Sequence, residues 1–176
     1  MRRFLNTIGI TVFLVFVLAG NKSLAERAPG NLEHIVTSAD LVVIGTAETI
    51  GIIKNANWRE NQEITFKVEK FVKGDFPELK LKIIIRVSED APTFYDKTGR
   101  RYLVCLRRIN NTNHWAVEDD GRWPIVNGMV EHGGFHFKMT AHDKDGVKYL
   151  LVEDAEVQIQ EILKKKQQKY EKESKL

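Results

Sequence analysis

Apolar and polar positions alternate along most of this chain, and the phase of the alternation picks out strands. Ile64, Phe66 and Val68 alternate with Thr65, Lys67 and Glu69, the period-two signature of a half-buried strand. Leu79, Leu81, Ile83, Ile85 and Val87 repeat the pattern against Lys80, Lys82 and Arg86. An earlier run, residues 40–53, carries Gly45 and Gly51 at places suited to a bulge or sharp bend. Residues 102–109 are apolar on both faces near their middle, which predicts a central strand. The period becomes helical at two places. Asn31 offers a cap for a short helix in which Leu32, Ile35 and Val36 share one face up to about Ala39. Asp154 offers another for a final helix striped by Ala155, Ile159, Ile162 and Leu163.

Turn chemistry divides these segments. Lys73-Gly74-Asp75-Phe76-Pro77 ends one strand, because Pro77 disfavours continuation. Residues 88–99 form a long polar connection. Asn110-Asn111-Thr112-Asn113 turns the chain into a short strand at residues 114–117, Asp119-Asp120-Gly121 turns it again, and residues 123–134 read as irregular. A last hairpin follows. Phe135, Phe137, Met139 and Ala141 alternate with His136, Lys138, Thr140 and His142, and Asp145-Gly146 turns into residues 147–152. The final helix is expected to fade into a solvated tail at residues 164–176.

Arg2 and Arg3 precede an apolar stretch from Ile8 to Gly20 broken only by Thr11, and Ser23 and Ala25 place small residues at a cleavage site. That order predicts a secretory signal peptide over residues 1–25. The run is shorter than the roughly 20 apolar residues of a spanning helix, so no membrane span is expected after its removal. The mature protein would then be secreted or periplasmic. It divides into a β domain with its terminal hairpin at residues 26–152 and a helix with a Lys-rich tail at residues 153–176.

Removal of the signal changes the charge. The chain holds 27 basic and 24 acidic residues, and residues 1–25 contain Arg2, Arg3 and Lys22 with no acid, so 24 of each remain. Residues 164–176 hold six lysines against Glu171 and Glu173, a local net charge of +4, which leaves −4 on residues 26–163. A mildly acidic body with a basic tail is not a nucleic-acid footprint, which calls for a basic stripe on a folded face.

Candidate chemistry is sparse. The lone cysteine, Cys105, sits in an apolar strand pattern and reads as a small buried hydrophobe rather than a nucleophile. His136 and His142 would share a strand face but lie roughly 20 Å apart, too far for one ion. Glu131, His132 and His136 could form a metal set only if Gly133-Gly134 folds the chain back. Asp143-Lys144-Asp145-Gly146 is no calcium loop, because Ala141 and Val152 would fall on its first and last ligand positions. Neither a Gly-x-Ser-x-Gly nucleophile elbow nor a phosphate-binding glycine loop occurs. No metal or cofactor is expected.

Three segments in order, residues 39–45, residues 65–74 and residues 99–104, carry a resemblance. Ala39-Asp40-Leu41-Val42-Val43-Ile44-Gly45, Thr65-Phe66-Lys67-Val68-Glu69-Lys70-Phe71-Val72-Lys73-Gly74 and Gly99-Arg100-Arg101-Tyr102-Leu103-Val104 resemble the OB-fold barrels of the netrin-like and tissue-inhibitor-of-metalloproteinases type, above all their small bacterial secreted relatives. The resemblance covers residues 32–130. It implies a mainly β chain with an OB-fold-like five-stranded barrel, to which this chain adds a C-terminal hairpin and a C-terminal α-helix. Metalloproteinase inhibition in that family depends on an amino-terminal cysteine, and this chain has only Cys105, in mid-strand, so inhibition is not implied.

OB barrels bind ligands across strands two and three and with the loops joining strands one to two and four to five. Those loops would carry Trp58 and Arg59 on one side and Asn111, Asn113 and Trp115 on the other. Trp58 is then either a stacking platform or a plug over the barrel end. The expected function is that of a monomeric, exported, non-enzymatic module that binds a protein or a glycan. The alternatives are a metal-dependent protein using Glu131, His132 and His136, or an envelope component that makes contact through its basic tail. Intact mass of protein recovered from its native host should place the mature amino terminus at Glu26. Retention of residues 1–25 would overturn the export reading.

Overall fold

The computed structural model describes residues 31–54, 60–86, 98–131, 137–138, 141–142 and 148–174. In chain order the elements are α1 (Leu32–Ser38), β1 (Leu41–Lys54), β2 (Glu60–Lys73), β3 (Lys80–Arg86), β4 (Arg101–Arg108), β5 (His114–Val126), β6 (Met129–Val130), β7 (Ala141–His142), β8 (Lys148–Leu151) and α2 (Val152–Glu173). The described residues are mainly β, with eight strands in one mixed sheet and a C-terminal helix.

Five strands close a ring. β1 pairs antiparallel with β2 and with β4, β2 with β3, and β4 with β5. The parallel pairing of β3 with β5, Lys82 beside His114 and Ile84 beside Ala116, completes the circuit. β5 runs on past the ring and carries β6, then β8, then β7.

Alternation along the ring strands sorts side chains into two cores. Leu41, Val43, Ala47, Ile64, Phe66, Val68, Leu81, Ile83, Tyr102, Val104, Leu106 and Trp115 fill the ring. Val42, Ile44, Leu103 and Cys105 point the other way, where Trp123, Ile125, Val130 and Leu150 join the buried faces of α1 and α2. β1 and β4 are therefore apolar on both sides.

α1 starts where Asn31 accepts a hydrogen bond from the Glu33 amide at 2.9 Å, and it buries Leu32, Ile35 and Val36. Its last carbonyls are satisfied by a side chain from the ring. The Lys73 ammonium donates to Val36 O at 2.9 Å, to Thr37 O at 3.2 Å and to Ala39 O. The predicted bulge at Gly45 is present, as a register shift between Ile44 and Gly45, whereas Gly51 pairs regularly with Glu63.

Several expectations are corrected. Asp119-Asp120-Gly121 is not a turn, and residues 123–126 are not irregular. β5 is strand from His114 to Val126, but Val117 pairs with Leu106 and Arg122 with Val104, so residues 118–121 bulge out of the ladder opposite Cys105. The physical reason lies in Gly121, where a Cβ would stand 2.7 Å from Ile35 Cγ2 and 2.8 Å from Cys105 Cβ. Its missing side chain lets the strand pass tightly under α1. The turn comes later, at Asn127 (φ 51°) and Gly128 (φ 77°), a positive-φ pair that joins β5 to β6 as a two-residue hairpin.

Leu79 precedes β3 and is exposed rather than inward, while Val87 lies outside the described residues. Phe137 and Lys138 are not in a strand. Phe137 packs edge-on against Trp123 at 4.9 Å, and the Lys138 backbone is held at both ends by the Gln158 side-chain amide. Among the described residues the hairpin is present as β7 with β8, Ala141 opposite Tyr149, and its turn at Asp145-Gly146 lies outside them.

The last helix is capped by Leu151 rather than Asp154, so it begins at Val152 with Glu153 and Asp154 in its first turn, where their charge suits the helix dipole. Nor does it fade. It continues to Glu173, because its polar half is made of good helix formers with side-chain partners four residues apart, Gln167 with Glu171 and Lys169 with Glu173.

Phe66 and Tyr102 are both fully buried in the ring, as their strand phases predict. Replacing Phe66 by Ala should therefore destabilise the fold by about 3–5 kcal/mol, measured by chemical denaturation. An unchanged midpoint would show that the ring interior is misassigned.

Candidate functional site

A polar constellation lies on the ring where β2, β3 and β5 meet. β2 turns Ile64 and Phe66 inward, so Glu63 and Thr65 face out. β3 likewise buries Leu81 and Ile83 and presents Lys82. The parallel register then sets His114 beside Lys82. One carboxylate faces both side chains. Glu63 Oε2 lies 3.2 Å from His114 Nε2, and Glu63 Oε1 lies 3.4 Å from Lys82 Nζ.

The β4–β5 turn borders this face and is tied down by Thr112. The Thr112 hydroxyl donates to Ile109 O at 2.9 Å and accepts from the His114 amide at 3.2 Å, while the Ile109 amide donates to His114 O at 3.0 Å. Asn111 sits at φ 60°, in the left-handed region that Asn tolerates better than most residues. Asn111 and Asn113 are thereby held exposed on a fixed turn.

On the other side of the turn, an open cleft of about 590 Å³ is lined by Asp40, Arg107, Arg108, Ile109, Asn110 and Ala116. Asp40 Oδ2 accepts the Arg108 amide at 2.8 Å, which fixes the approach of β1 to β4. Arg107 Nε stands 3.1 Å from the buried Glu118 Oε2, an ion pair without the alignment of a hydrogen bond. The Arg108 guanidinium lies over Phe76 at 5.9 Å, and Phe76 meets Trp115 edge-on at 5.3 Å.

The residues expected from sequence are thus separated. Asn111 and Asn113 border the polar face, but Trp115 is 4% exposed and packs inside the ring, so it is a core residue and not an open platform. Trp58 and Arg59 lie outside the described residues. Glu131 is held by Arg100 Nη2 at 2.5 Å, and His132 and His136 lie outside the described residues. Among the described residues, no group of three or more His, Cys, Asp or Glu side chains is placed to hold a metal. No described helix is long and apolar enough to cross a membrane.

Alternation along the chain does not bring Glu63, Lys82 and His114 together as a group. Each lies at an outward position legible from alternation, yet their union depends on the parallel β3–β5 register, for which no local signal exists. A second network on the ring joins Thr46, Glu69 and Arg101. Burial pushes the Glu69 carboxyl up, but hydrogen bonds from Arg101 and Thr46 and the charges of Arg101 and Lys67 outweigh it and hold the group below its usual range. No protein-family model matches the chain, and no curated protein matches it.

Cys105 is fully buried in the second core, and burial pushes its thiol from 9.0 to about 12. Its neutral form is favoured in the fold. The resulting stability is present below pH 9.0 and is lost as the pH rises toward about 12, because the unfolded thiol ionises first. Denaturation midpoints across that window should fall more steeply for the native protein than for Cys105→Ala. Parallel slopes would refute the burial argument.

Proposed function

We propose that the chain is an exported, non-enzymatic binding module built on an OB-type barrel, recognising a polar protein or glycan surface outside the cytoplasm. The ring order β1-β2-β3-β5-β4 and its parallel β3–β5 closure support the barrel reading, since a partly open five-stranded Greek-key barrel uses its second and third strands and the fourth-to-fifth loop for ligands. The observation that carries the proposal is the convergence on that face of Glu63, Lys82 and His114 beside Asn111 and Asn113.

These groups supply paired donors and acceptors on rigid strands, which suits hydrogen-bond recognition of hydroxyl, amide or carboxylate groups. The arrangement offers no activated nucleophile. Cys105 is sealed in the core, and the His114 ring faces the Glu63 carboxylate, while the Thr112 hydroxyl is engaged by the His114 backbone amide. The pairing of Glu131 with Arg100 weighs against the metal-dependent alternative, because that carboxylate is already neutralised.

Titration with a panel of neutral and charged oligosaccharides and of extended peptides, followed by backbone NMR, should perturb residues 111–114 together with Glu63 and Lys82. The double substitution Glu63→Gln and His114→Ala should weaken the bound ligand by about tenfold or more, the scale of losing charge-assisted hydrogen bonds. Perturbations that map elsewhere, or undiminished affinity in the double variant, would overturn the proposal.

A further inference from the structure

Cations crowd the junction of α1 and α2. Lys73 fills the carboxyl end of α1, and Lys166 Nζ reaches the same Thr37 carbonyl at 3.3 Å. Burial lowers the proton affinity of Lys73, and the Lys166 charge lowers it further, so the two ammonium groups repel each other. Beside them opens a cleft of about 330 Å³ lined by Lys165, Lys166 and Lys169 with Thr37 and Tyr170, against the carboxylates of Glu33 and Glu173. Glu173 is shared with Lys169 at 4.0 Å. The cationic groups outnumber the anionic ones.

The helix extends this charge outward. Because α2 stays helical to Glu173, the spacing of four and three residues puts Lys165, Lys169 and Lys172 on one side over about 10 Å. Lys164, Lys165 and Lys172 are exposed and have no ion pair with a described residue. The apolar stripe is already used, since Ile159 is buried and Ile162 and Leu163 pack against the second core. Tyr170, 59% exposed, stands among the lysines with Lys166 Nζ 5.8 Å from its ring.

We propose that this end of α2, with the cleft it shares with α1, docks the protein on an anionic phospholipid surface. Charge complementarity selects the partner. Residues 26–163 carry a net −4 and residues 164–176 a net +4, so an anionic surface repels the body and attracts this end. Ammonium groups on flexible stems make point contacts without shape selection, which suits mobile headgroups. A single free phosphate could engage the cleft but not the stripe beyond it. Tyr170 places an amphipathic ring where headgroups would lie. With no free apolar face, the attachment is superficial and sensitive to salt.

Co-sedimentation of the purified protein with vesicles tests this. Partition onto mixed phosphatidylglycerol–phosphatidylcholine vesicles should exceed that onto phosphatidylcholine alone by about tenfold or more, and should collapse between about 0.1 M and about 0.5 M salt. The triple substitution Lys165→Gln, Lys169→Gln and Lys172→Gln should remove most of that preference with the denaturation midpoint nearly unchanged, since all three side chains are exposed, Gln is a good helix former and only the surface pair Lys169–Glu173 is lost. Lys67→Gln with Lys80→Gln, on the ring strands, should leave it unchanged. Equal partition onto both vesicle types, full binding by the triple variant, an equal loss in the Lys67 and Lys80 variant, or calorimetric binding of inorganic phosphate without vesicle partition would each overturn the proposal.

Discussion

A strand that is apolar on both faces cannot lie against water on either side, and β1 and β4 impose that constraint here. Leu41 and Val43 point into the ring while Val42 and Ile44 point out of it, and Tyr102 and Val104 are interleaved with Leu103 and Cys105 in the same way. One side is sealed by curling the sheet until β3 meets β5. The other needs a separate cover, which α1, α2 and the outer length of β5 provide. Ring and helices are thus two answers to one burial requirement.

The cover is held by specific polar ties as well as by packing. A helix of seven residues is not stable alone, and α1 relies on the Asn31 cap, its buried side chains and Lys73 reaching up from β2. α2 is fastened to the same strand, with Gln160 Nε2 donating to Val72 O at 2.6 Å and Lys70 pairing with Glu156 at 2.5 Å. β2 therefore carries polar ties to both helices, which otherwise pack on β1 and β4. The outward side of its first half, around Glu63, is free of the helices.

Local periodicity revealed more of the fold than of the site. Ile64, Phe66, Leu81 and Ile83 announce their faces by simple alternation, and the two-sided run at residues 102–106 correctly marks an inner strand. The failures have a common cause, which is tertiary context acting on ambiguous local chemistry. Asp119-Asp120-Gly121 is a good turn sequence, but the glycine is needed for clearance beneath Ile35 and Cys105, a contact made across more than eighty residues on one side. Gly121, Trp123 and Ile125 form a period-two apolar series, and Asn127-Gly128 is a strong hairpin signal, so the second half of β5 and its turn are legible in the sequence. Trp115 looked like a loop aromatic because it follows four turn residues, yet alternation after His114 already sends it inward. The Glu63–Lys82–His114 group could not be found this way, since it spans three strands of which two meet only on ring closure.

β5 has one further property with a spectroscopic meaning. Its first half places Trp115 inside the ring, and its second half places Trp123 in the outer core against Phe137. One strand thus carries an indole in each of the two apolar compartments, so each compartment has its own intrinsic fluorophore. Because neighbouring residues of β1 and β4 belong alternately to the two compartments, neither can be exposed while the other keeps its walls. Trp115 and Trp123 are thus expected to lose their burial together, in a single cooperative transition, although the interior is divided in two.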